Sequence, residues 1–373
     1  MDHIKRFFDC FIPVTTCNLR CHYCYITLNG QFENKLPEFK HSPQTIGKAL
    51  SKERLGGLCH FNLCGAGETL LPPETTPIIR SILEQGHYVM VVTNGMVQKR
   101  FNEILQFPKE FLARLGFKFS FHFLELKRLN ALDSWFNTIK NVRESGCSIS
   151  VELTPTDECV PYINEIKALC VNNLGALCHI TIARDSRKKD LPILTNMPLS
   201  QYKETWDGGG GGSGFDSEMF RFKLSTFGIK RKEFCYAGLW SGCINIGTGD
   251  LSQCYSSFYS QNIFDDVNKP IKFIPIGANC LKPHCFNSHA WLTLGLIPEL
   301  KAPAYAQIRN RICGDGSAWL TPEMNAFLSG KLYDSNRLLT LNEQKKINAA
   351  WKKKRVLQLI SRARGKISRL FKR

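Results

Sequence analysis

The segment 17–24, with the sequence CNLRCHYC, places three cysteines in a C-x3-C-x2-C spacing. A short loop with this spacing can turn Cys17, Cys21 and Cys24 toward one inorganic centre. A cubane iron–sulfur cluster normally takes four cysteine ligands, so three leave one iron open to a ligand from outside the protein. Zinc is the alternative, because structural zinc sites close with four ligands and His22 can be counted as the fourth. His22 lies inside the same short loop and would point awkwardly, so the spacing favours a cluster.

The totals place the chain in a broad class. Its 373 residues suffice for one large domain with a smaller one. Most of the net charge of +17 comes from residues 344–373, which hold twelve Lys or Arg and no Asp or Glu. The sixteen cysteines occur in a long chain whose first residues lack the apolar run of a signal peptide. No stretch approaches eighteen consecutive apolar residues. We therefore expect a protein of the reducing cytoplasm.

Predicted strands alternate with predicted helices through the first half of the chain. The strands fall at residues 11–14, 59–63, 88–92, 117–123, 147–153 and 179–182. This alternation predicts a parallel α/β sheet. Polar residues collect directly after the strands, where barrel-type α/β proteins place their active sites. Periodicity alone does not separate an open sheet from a curved partial barrel.

The second half of the chain has a different composition. Residues 208–214 form a glycine-rich linker, so plain that it suggests an engineered replacement of a native loop. It divides an α/β part, 1–207, from a cysteine-rich part, 215–342, and a basic tail follows at 343–373. In the cysteine-rich part, the turn at Gly249-Asp250 predicts a β-hairpin with cysteines near its ends.

Three motifs at strand ends resemble those of radical S-adenosylmethionine (SAM) enzymes. The cysteine loop follows the first strand, Gly65-Ala66-Gly67-Glu68 follows the second, and Thr93-Asn94-Gly95 follows the third. The resemblance implies a partial (β/α)6 barrel of the TIM type with a [4Fe-4S] cluster on Cys17, Cys21 and Cys24. It also implies that S-adenosylmethionine binds the open iron, and that an external donor such as flavodoxin or ferredoxin supplies the electron for cleavage to a 5′-deoxyadenosyl radical.

The resemblance further implies residues that bind S-adenosylmethionine. These are Tyr23 for the adenine, Gly65, Gly67 and Glu68 for the ammonium, Asn94, Ser120 and Glu152 for the ribose, and Arg184 for the carboxylate. Glycines suit the second group because they let the backbone approach closely. The alternatives are a plain turn at Asn94-Gly95 and a surface charge at Arg184 beside Asp185.

Other ionisable residues at strand ends are candidates for the chemical step. His122 and Glu125 follow the fourth strand and are predicted to contact the substrate; a network at the barrel rim is the alternative. An enzyme that quenches a substrate radical needs a hydrogen donor, and the thiols of Cys313 and Cys159 have no other assignment. A buried structural role is the alternative for both.

The second cysteine set resembles the auxiliary-cluster domains called SPASM and Twitch. Cys235 is followed by thirteen residues, Gly249, four residues and Cys254, and Cys280 and Cys285 would complete four thiolates. A full SPASM pattern has seven cysteines and two clusters, whereas this half offers only two more. The resemblance therefore implies one auxiliary [4Fe-4S] cluster, the Twitch arrangement, which would relay an electron or position the substrate. Zinc on the same four cysteines is the alternative.

The basic tail predicts an amphipathic helix. Its apolar stripe consists of Trp351, Val356, Leu357, Ile360, Ile367, Leu370 and Phe371. Bulky apolar residues among Lys and Arg suit an anionic membrane at its inner face. Nucleic acid is the rival partner, since charge alone does not choose, and a solvated helix is the third interpretation.

Together these features predict a radical enzyme with a smaller α+β C-terminal domain. We expect it to oxidise or epimerise a carbohydrate-type small molecule, such as a lipid-linked glycan. The cysteine loop begins at residue 17, which leaves no room for a preceding leader-peptide domain, so peptide modification is the second hypothesis. A non-catalytic electron-transfer or sensor protein is the third, although a relay has no need of strand-end cofactor residues.

Overall fold

The computed structural model describes residues 3–208 and 214–370, with side-chain surroundings as far as Arg355 and at Leu357. The strands are β1 Arg6–Ile12, β2 Cys59–Gly65, β3 Tyr88–Thr93, β4 Leu115–Phe121, β5 Ser148–Leu153, β6 His179–Ile180, β7 Ser241–Asn245, β8 Asp250–Ser252 and β9 Ser260–Asn262. The helices are α1 Tyr25–Leu28, α2 Pro43–Ala49, α3 Lys52–Leu55, α4 Thr75–Glu84, α5 Gln98–Ile104, α6 Lys109–Leu112, α7 Phe123–Arg128, α8 Leu132–Glu144, α9 Ile163–Leu174, α10 Leu199–Asp207, α11 Glu218–Thr226, α12 Ser288–Trp291, α13 Pro322–Ser329 and α14 Leu341–Leu370.

The strands form one sheet in the order β6-β5-β4-β3-β2-β1-β7-β8-β9. Strands β1 to β6 lie side by side in sequence order, all parallel, as a partial (β/α)6 barrel requires. The prediction of a mostly parallel α/β sheet is confirmed. Most strand boundaries differ from the sequence-based ones by one or two residues, and the start of the first strand differs by more. The first strand begins at Arg6, well before residue 11, and the fourth ends at Phe121, because Phe123 already begins a helix.

One face of the sheet packs under the helices. Side chains that alternate along β1, β2 and β4 are fully buried there, Phe8, Phe61 and Phe117 among them. Helix α8 covers part of this face with Trp135, whose ring stacks on Phe121 at 4.6 Å. This face forms the larger hydrophobic core. Along these strands, apolar side chains that face this core alternate with side chains that face the other side. This period-2 pattern is expected when the two faces of a strand have different surroundings.

The opposite face changes character along the strands. Near their amino ends it is apolar: Phe7 and Met90 join a second core with residues of the C-terminal part. Gly116 makes room there, because a Cβ would stand 2.2 Å from the Met90 sulfur. Nearer the carboxyl ends the same face carries Asp9 and its register partner Asn62. The lumen of the sheet therefore has an apolar base and a polar upper layer.

The C-terminal part is continuous with this sheet. Strand β7 pairs in parallel with β1, and β8 and β9 follow as an antiparallel extension. The predicted hairpin at Gly249-Asp250 is present as β7 and β8. Helix α14 packs back on this part through Trp351, which is 7% exposed and donates its indole N–H to the Pro275 carbonyl at 2.8 Å. Trp351 is therefore not available to a membrane-facing stripe.

Several predicted features fall outside the described residues. Residues 209–213 of the predicted linker do so, as do Phe371 and the side-chain surroundings of Val356, Ile360, Ile367 and Leu370. The division into 1–207, 208–214, 215–342 and 343–373 and the membrane role of the tail stay predictions. Within the described residues, no helix combines the length and apolar character needed to cross a bilayer.

The larger core should dominate the stability of the sheet. Ile79 in α4 is fully buried, so Ile79→Ala should lower the free energy of unfolding by about 2–5 kcal/mol through lost burial and a cavity. The matched control is Ile229→Ala, at a side chain that is 47% exposed, which should change it by about 0.5 kcal/mol or less. Urea unfolding followed by circular dichroism measures both. Equal losses in the two variants would contradict this assignment of the core.

Candidate active site

The cysteine loop is held in place by the glycine-rich turn after β2. The Gly67 N–H donates to the Val14 carbonyl at 2.6 Å, and the Glu68 N–H donates to the Thr16 carbonyl at 3.0 Å. A Cβ on Gly67 would stand only 2.0 Å from that Thr16 oxygen. Gly67 is therefore required by contact between two backbones, before any ligand is considered.

Glu68 connects this turn to the end of β3. Its carboxylate accepts hydrogen bonds from the Thr93 hydroxyl at 2.7 Å, the Asn94 N–H at 2.7 Å and the Leu70 N–H at 3.0 Å. Burial raises the pKa of Glu68, and these three donors oppose that rise. The Glu68 carboxylate, which is predicted to bind the cofactor ammonium, thus links the turn after β2 to the end of β3.

A cavity of about 170 Å³ lies between the cysteine loop and these turns. Its walls include the predicted residues Cys17, Cys21, Cys24, Gly65, Gly67, Glu68, Asn94, Ser120 and His122. The carboxyl ends of parallel strands meet at one edge of the sheet, which is why residues from β2, β3 and β4 gather here.

Asn94 reaches the cysteine loop directly. Its Nδ2 donates to Asn18 Oδ1 at 2.6 Å and lies 3.7 Å from the Cys17 sulfur, while its Oδ1 accepts the Met96 N–H at 3.0 Å. The side chain bridges the end of β3 and the first predicted ligand. The residue is more than a turn former, because its amide is committed to the loop.

The thiols of the loop lie where a positive centre would ionise them. The Leu19 N–H donates to the Cys17 sulfur at 3.4 Å. Burial raises the pKa of Cys17 to about 11, and the charges of Glu68 and Cys24 add to this. Burial, then the neighbouring thiols Cys24 and Cys17, also raises the pKa of Cys21. A cationic metal centre beside Cys17 and Cys21 would offset the burial that opposes ionisation of these two thiols.

The aromatic side chain at the cavity differs from the predicted one. Tyr23, expected against adenine, is not in the cavity wall; its hydroxyl lies 2.5 Å from Nδ1 of His122. Tyr25 lines the cavity instead, and its hydroxyl donates to the Ala66 carbonyl at 2.9 Å. The reason is local: α1 begins at Tyr25, directly after Cys24, and turns that ring toward the glycine-rich segment.

The two predicted substrate contacts have partners in the loop. His122 is half-buried against Tyr23, and burial lowers the pKa of His122 to about 4. Glu125 accepts the Arg20 N–H at 3.2 Å and pairs with Arg128 at 2.9 Å. The carboxylate of Glu125 therefore supports the cysteine loop. Glu125 lines neither this cavity nor the larger one described in the next paragraph.

A larger cavity of about 580 Å³ occupies the polar upper layer of the lumen. It shares Tyr25, Gly65 and Val92 with the smaller cavity, so the two adjoin. Its other walls include Asp9, Asn62, Cys64, Lys118, Glu152, Thr181, Arg184, Lys223, Cys243, Tyr255, Phe286, Asn287 and His289. Glu152 and Arg184, predicted to bind S-adenosylmethionine, line this lumen cavity and not the smaller one.

Glu152 has a close cationic partner. Its carboxylate forms a short ion pair with Arg309, whose side chain is fully buried. Burial raises the pKa of Glu152, but the charges of Arg309 and Lys118 outweigh it and hold this pKa at about 2. The carboxylate predicted to contact a ribose is thus the counterion of a buried guanidinium.

The second cysteine set is assembled beside the lumen cavity. Burial, with the neighbouring thiols adding to it, raises the pKa of Cys235, Cys254 and Cys285, and Cys280 contributes to that of Cys285. In three of them an N–H two residues further on bonds to the sulfur, as the Ser256 N–H does to Cys254 at 3.1 Å. The same arrangement occurs at Cys17. N–H bonds to cysteine sulfur are characteristic of iron–sulfur ligands, whose potential they tune.

Cys313 is not brought to either cavity. Its thiol donates to the carbonyl of Leu174 at 3.3 Å, at the end of α9, and is 5% exposed. Since α9 leads into β6, this is the amino-terminal edge of the sheet, opposite the cysteine loop. A hydrogen donor for a radical at the strand ends would have to be elsewhere, and the contacts of Cys313 are those of a packed structural cysteine.

Some lumen residues were missed at the sequence level. Lys118 alternates with Phe117 and Phe119 in β4 and so shares a face with Ser120, a signal that was available. Asp9 lies in the part of β1 that precedes the apolar run at residues 11–14, so that run does not point to it. Lys223 offers no comparable signal, because it comes from a helix far along the chain and meets the lumen only in the folded protein.

The comparison with protein families gives one match. Residues 11–156 match the family model described as "Radical SAM superfamily". This segment of the chain is similar to the radical SAM superfamily. The match contains the cysteine loop and the strand ends around the smaller cavity, and it ends before the second cysteine set. None of the curated proteins matches this sequence.

Solved structures resemble the chain only distantly. Streptococcus suis SuiB bound to S-adenosylmethionine is 14% identical, with a TM-score of 0.48, over 71% of this chain and 64% of that one. Native anSMEcpe with bound AdoMet is 15% identical, with a TM-score of 0.45, over 70% and 79%. BtrN in complex with AdoMet and 2-DOIA is 13% identical, with a TM-score of 0.30, over 74% and 80%. The chain thus spans less than two thirds of SuiB, and none of these likenesses assigns a substrate.

A radical SAM fold implies S-adenosylmethionine and a [4Fe-4S] cluster, and the loop fits that pair. Three thiols share one cavity with the glycine-rich turn, and His22, the alternative zinc ligand, lies 3.1 Å from Glu158. In the part of the chain that the structure describes, no three His, Cys, Asp or Glu side chains surround a single-ion position. A cubane does not need one, because each thiolate binds a different iron.

The Glu68 contacts give a prediction for the region around the cysteine loop. Glu68→Gln replaces one acceptor oxygen by a donor that faces backbone N–H groups, so it should lower the free energy of unfolding by about 1–3 kcal/mol. It should also loosen Asn94 from the loop. The control is Glu53→Gln on the exposed face of α3. Urea unfolding measures the free energy of unfolding, and iron retention during gel filtration reports on the cysteine loop. If neither changes in Glu68→Gln, Glu68 does not hold the loop in place.

The pair of Glu152 with Arg309 predicts a pH dependence. Glu152→Gln leaves a buried guanidinium without its acid and should cost about 3–5 kcal/mol near neutral pH. Because the folded pKa of about 2 lies below the usual 4.5, the stabilisation is present above 4.5 and is lost as pH falls toward 2. Wild-type protein should therefore lose more stability than the variant between about pH 5 and about pH 3. Exposed Glu204→Gln is the control, and parallel pH curves for wild type and Glu152→Gln would contradict the prediction.

Proposed function

We propose that this protein is a radical SAM enzyme, in which a [4Fe-4S] cluster bound by Cys17, Cys21 and Cys24 supplies the electron that cleaves S-adenosylmethionine to a 5′-deoxyadenosyl radical. That radical removes a hydrogen atom from a substrate in the lumen cavity. An external donor such as flavodoxin or ferredoxin reduces the protein between turnovers.

The observation that carries this proposal is the adjacency of the two cavities. The smaller one holds the three thiols, the larger one lies in the lumen, and they meet at Tyr25, Gly65 and Val92. A radical formed at that junction has only a short distance to travel to a bound substrate, which protects it from solvent and from side reactions. An electron relay or a sensor has no need of a second cavity of this size beside its cluster.

The residues at the smaller cavity have distinct tasks. Carbonyl groups of the Gly65–Gly67 turn can accept the cofactor ammonium, and Tyr25 fixes one of them, that of Ala66. Ser120, at the end of β4, offers a hydroxyl toward the ribose. Asn94 holds the cysteine loop against the end of β3. The chain thereby orients the cofactor and closes the site from the side of the glycine turn.

Cys235, Cys254, Cys280 and Cys285 form a second metal centre in this proposal, most simply one closed auxiliary [4Fe-4S] cluster. Support comes from the N–H bonds to their sulfurs and from their place: Tyr255 and Phe286, each directly after a ligand, line the lumen cavity. A centre there can accept an electron from a substrate radical, which an oxidation requires and an epimerisation does not. Four zinc-binding thiolates remain the alternative.

The proposed substrate is a carbohydrate-type small molecule. A cavity of about 580 Å³ is of the size that takes one small ligand. Its walls offer amide, hydroxyl and carboxylate groups, such as those of Asn62, Asn287 and Asp9, that suit a polyhydroxylated ring. Peptide modification is the competing outcome, and comparison by mass spectrometry of small metabolites and peptides from cells with and without active protein separates the two.

Cleavage of the cofactor is the first measurement. Reconstituted, reduced protein should release 5′-deoxyadenosine from S-adenosylmethionine, and Cys24→Ala should lower release to background because the loop then lacks a ligand. The control is Cys147→Ala, at a buried cysteine before β5 that faces neither cavity. Wild-type protein that is loaded with iron and reduced, yet releases no 5′-deoxyadenosine, would refute the proposal and favour a relay or sensor.

Metal analysis tests the second centre separately. Iron should number about eight per chain for two clusters and about four if the second set holds zinc. Cys254→Ala should remove only the iron of the second centre. Release of 5′-deoxyadenosine should persist, because the cleavage site is intact. Zinc in place of iron at this set would overturn the auxiliary cluster and leave the radical chemistry standing.

A further inference from the structure

Three cations line the lumen cavity without an acid of their own. Lys118 comes from β4, Arg184 follows β6, and Lys223 comes from α11. Among the described residues, none of the three lies within ion-pair distance of a carboxylate, and the Lys118 ammonium has no hydrogen-bond partner although the residue is only 5% exposed. Arg184 donates to the Phe286 carbonyl, and Lys223 donates to the Thr181 hydroxyl.

The acids of the same cavity are already engaged. Asp9 accepts hydrogen bonds from three neutral donors: Asn62 Nδ2 at 2.6 Å, the Tyr255 hydroxyl at 2.6 Å and Asn287 Nδ2 at 2.9 Å. Glu152 is taken by Arg309, a fourth cation behind the wall. The lumen around these groups therefore holds two carboxylates against four cations.

This imbalance is costly above all at Lys118, which is only 5% exposed, whereas Arg184 and Lys223 are half-buried. A buried charge without a partner loses its hydration and gains nothing in return. Burial lowers the pKa of Lys223, the charge of Glu152 opposes this, and the charges of Arg184, Arg309 and Lys118 add to it, so that this pKa lies at about 7. A cluster of this kind is stable when a ligand supplies the missing negative charge.

We propose that the substrate carries an anionic oxygen group, a carboxylate or a phosphate, which Lys118, Arg184 and Lys223 bind inside the lumen. The uncharged part of the substrate then lies toward Asp9 and its amide partners, across the cavity. This inference rests on the proposed function and narrows its substrate class to an acidic small molecule, such as a sugar acid or a sugar phosphate.

The test uses anion binding by the full-length protein. Inorganic phosphate and succinate are the two probes, compared with potassium chloride at equal ionic strength. A probe that binds should raise the melting temperature of the protein above its value in potassium chloride. Stabilisation by phosphate indicates a site for a phosphate group, and stabilisation by succinate indicates a site for a carboxylate. Stabilisation by neither would overturn the proposal.

Lys118 is the residue to replace. Lys118→Met should raise the apparent Kd for the stabilising anion about tenfold or more, because one of three charges is lost from a desolvated site. The matched control, Lys109→Met at an exposed position of α6, should bind as wild type does. Lys118→Arg keeps the charge and should retain binding, which guards against a variant that fails to fold.

Stability without ligand separates binding from structure. If Lys118 awaits a ligand, Lys118→Met should be at least as stable as wild type when no anion is present, because an unpaired buried charge has been removed. A clearly less stable variant whose anion affinity is unchanged would give Lys118 a purely structural role and overturn the proposal.

Failure of this inference can be told from failure of the proposed function. Release of 5′-deoxyadenosine depends on the cysteine loop, and anion binding depends on the lumen. Anion binding that meets the expectations above without any cofactor cleavage would refute the radical chemistry and leave the anion site. Cofactor cleavage without anion binding would refute the anion site and leave the radical chemistry.

Discussion

The close contact between the glycine-rich turn and the cysteine loop is the constraint on which the site depends. Gly67 brings its backbone against Thr16, where a side chain has no room, and Glu68 continues the contact with an N–H bond and a buried carboxylate. Through that carboxylate the loop after β1, the turn after β2 and the end of β3 become one rigid unit. Catalytic geometry depends on such support, because a ligand loop that moves cannot hold a reactive centre at a fixed distance.

The lumen of the sheet extends this arrangement into a binding site. Its apolar base, with Phe7 and Met90, joins the C-terminal part to the sheet and needs no ligand. Its upper layer is polar because the same inward-facing positions carry Asp9, Asn62 and Lys118 nearer the carboxyl ends. The apolar layer thus contributes stability, and the polar layer is where the proposed chemistry takes place, as is usual for α/β barrels.

Both cysteine sets border that layer. The loop set meets the lumen at Tyr25 and Gly65, and the second set meets it at Tyr255 and Phe286. Strand β7 makes this possible, because its pairing with β1 carries the C-terminal part to the edge of the lumen. In the proposed function, a substrate in the lumen has a source of radicals near the first set and an electron acceptor near the second.

The sequence by itself determined the local features: the C-x3-C-x2-C loop, the order of strands and helices, and the strand-end motifs through Asn94 and Ser120. Each depends on residues that are close along the chain, where spacing and period-2 alternation carry the information. Only the tertiary structure decided that Tyr25 and not Tyr23 lines the smaller cavity, that Arg184 faces the lumen, and that Cys313 lies at the far edge. It alone joined Lys118 to Lys223 and Glu152 to Arg309, because pairs more than a hundred residues apart are fixed by packing and charge in the folded protein, which no local pattern encodes.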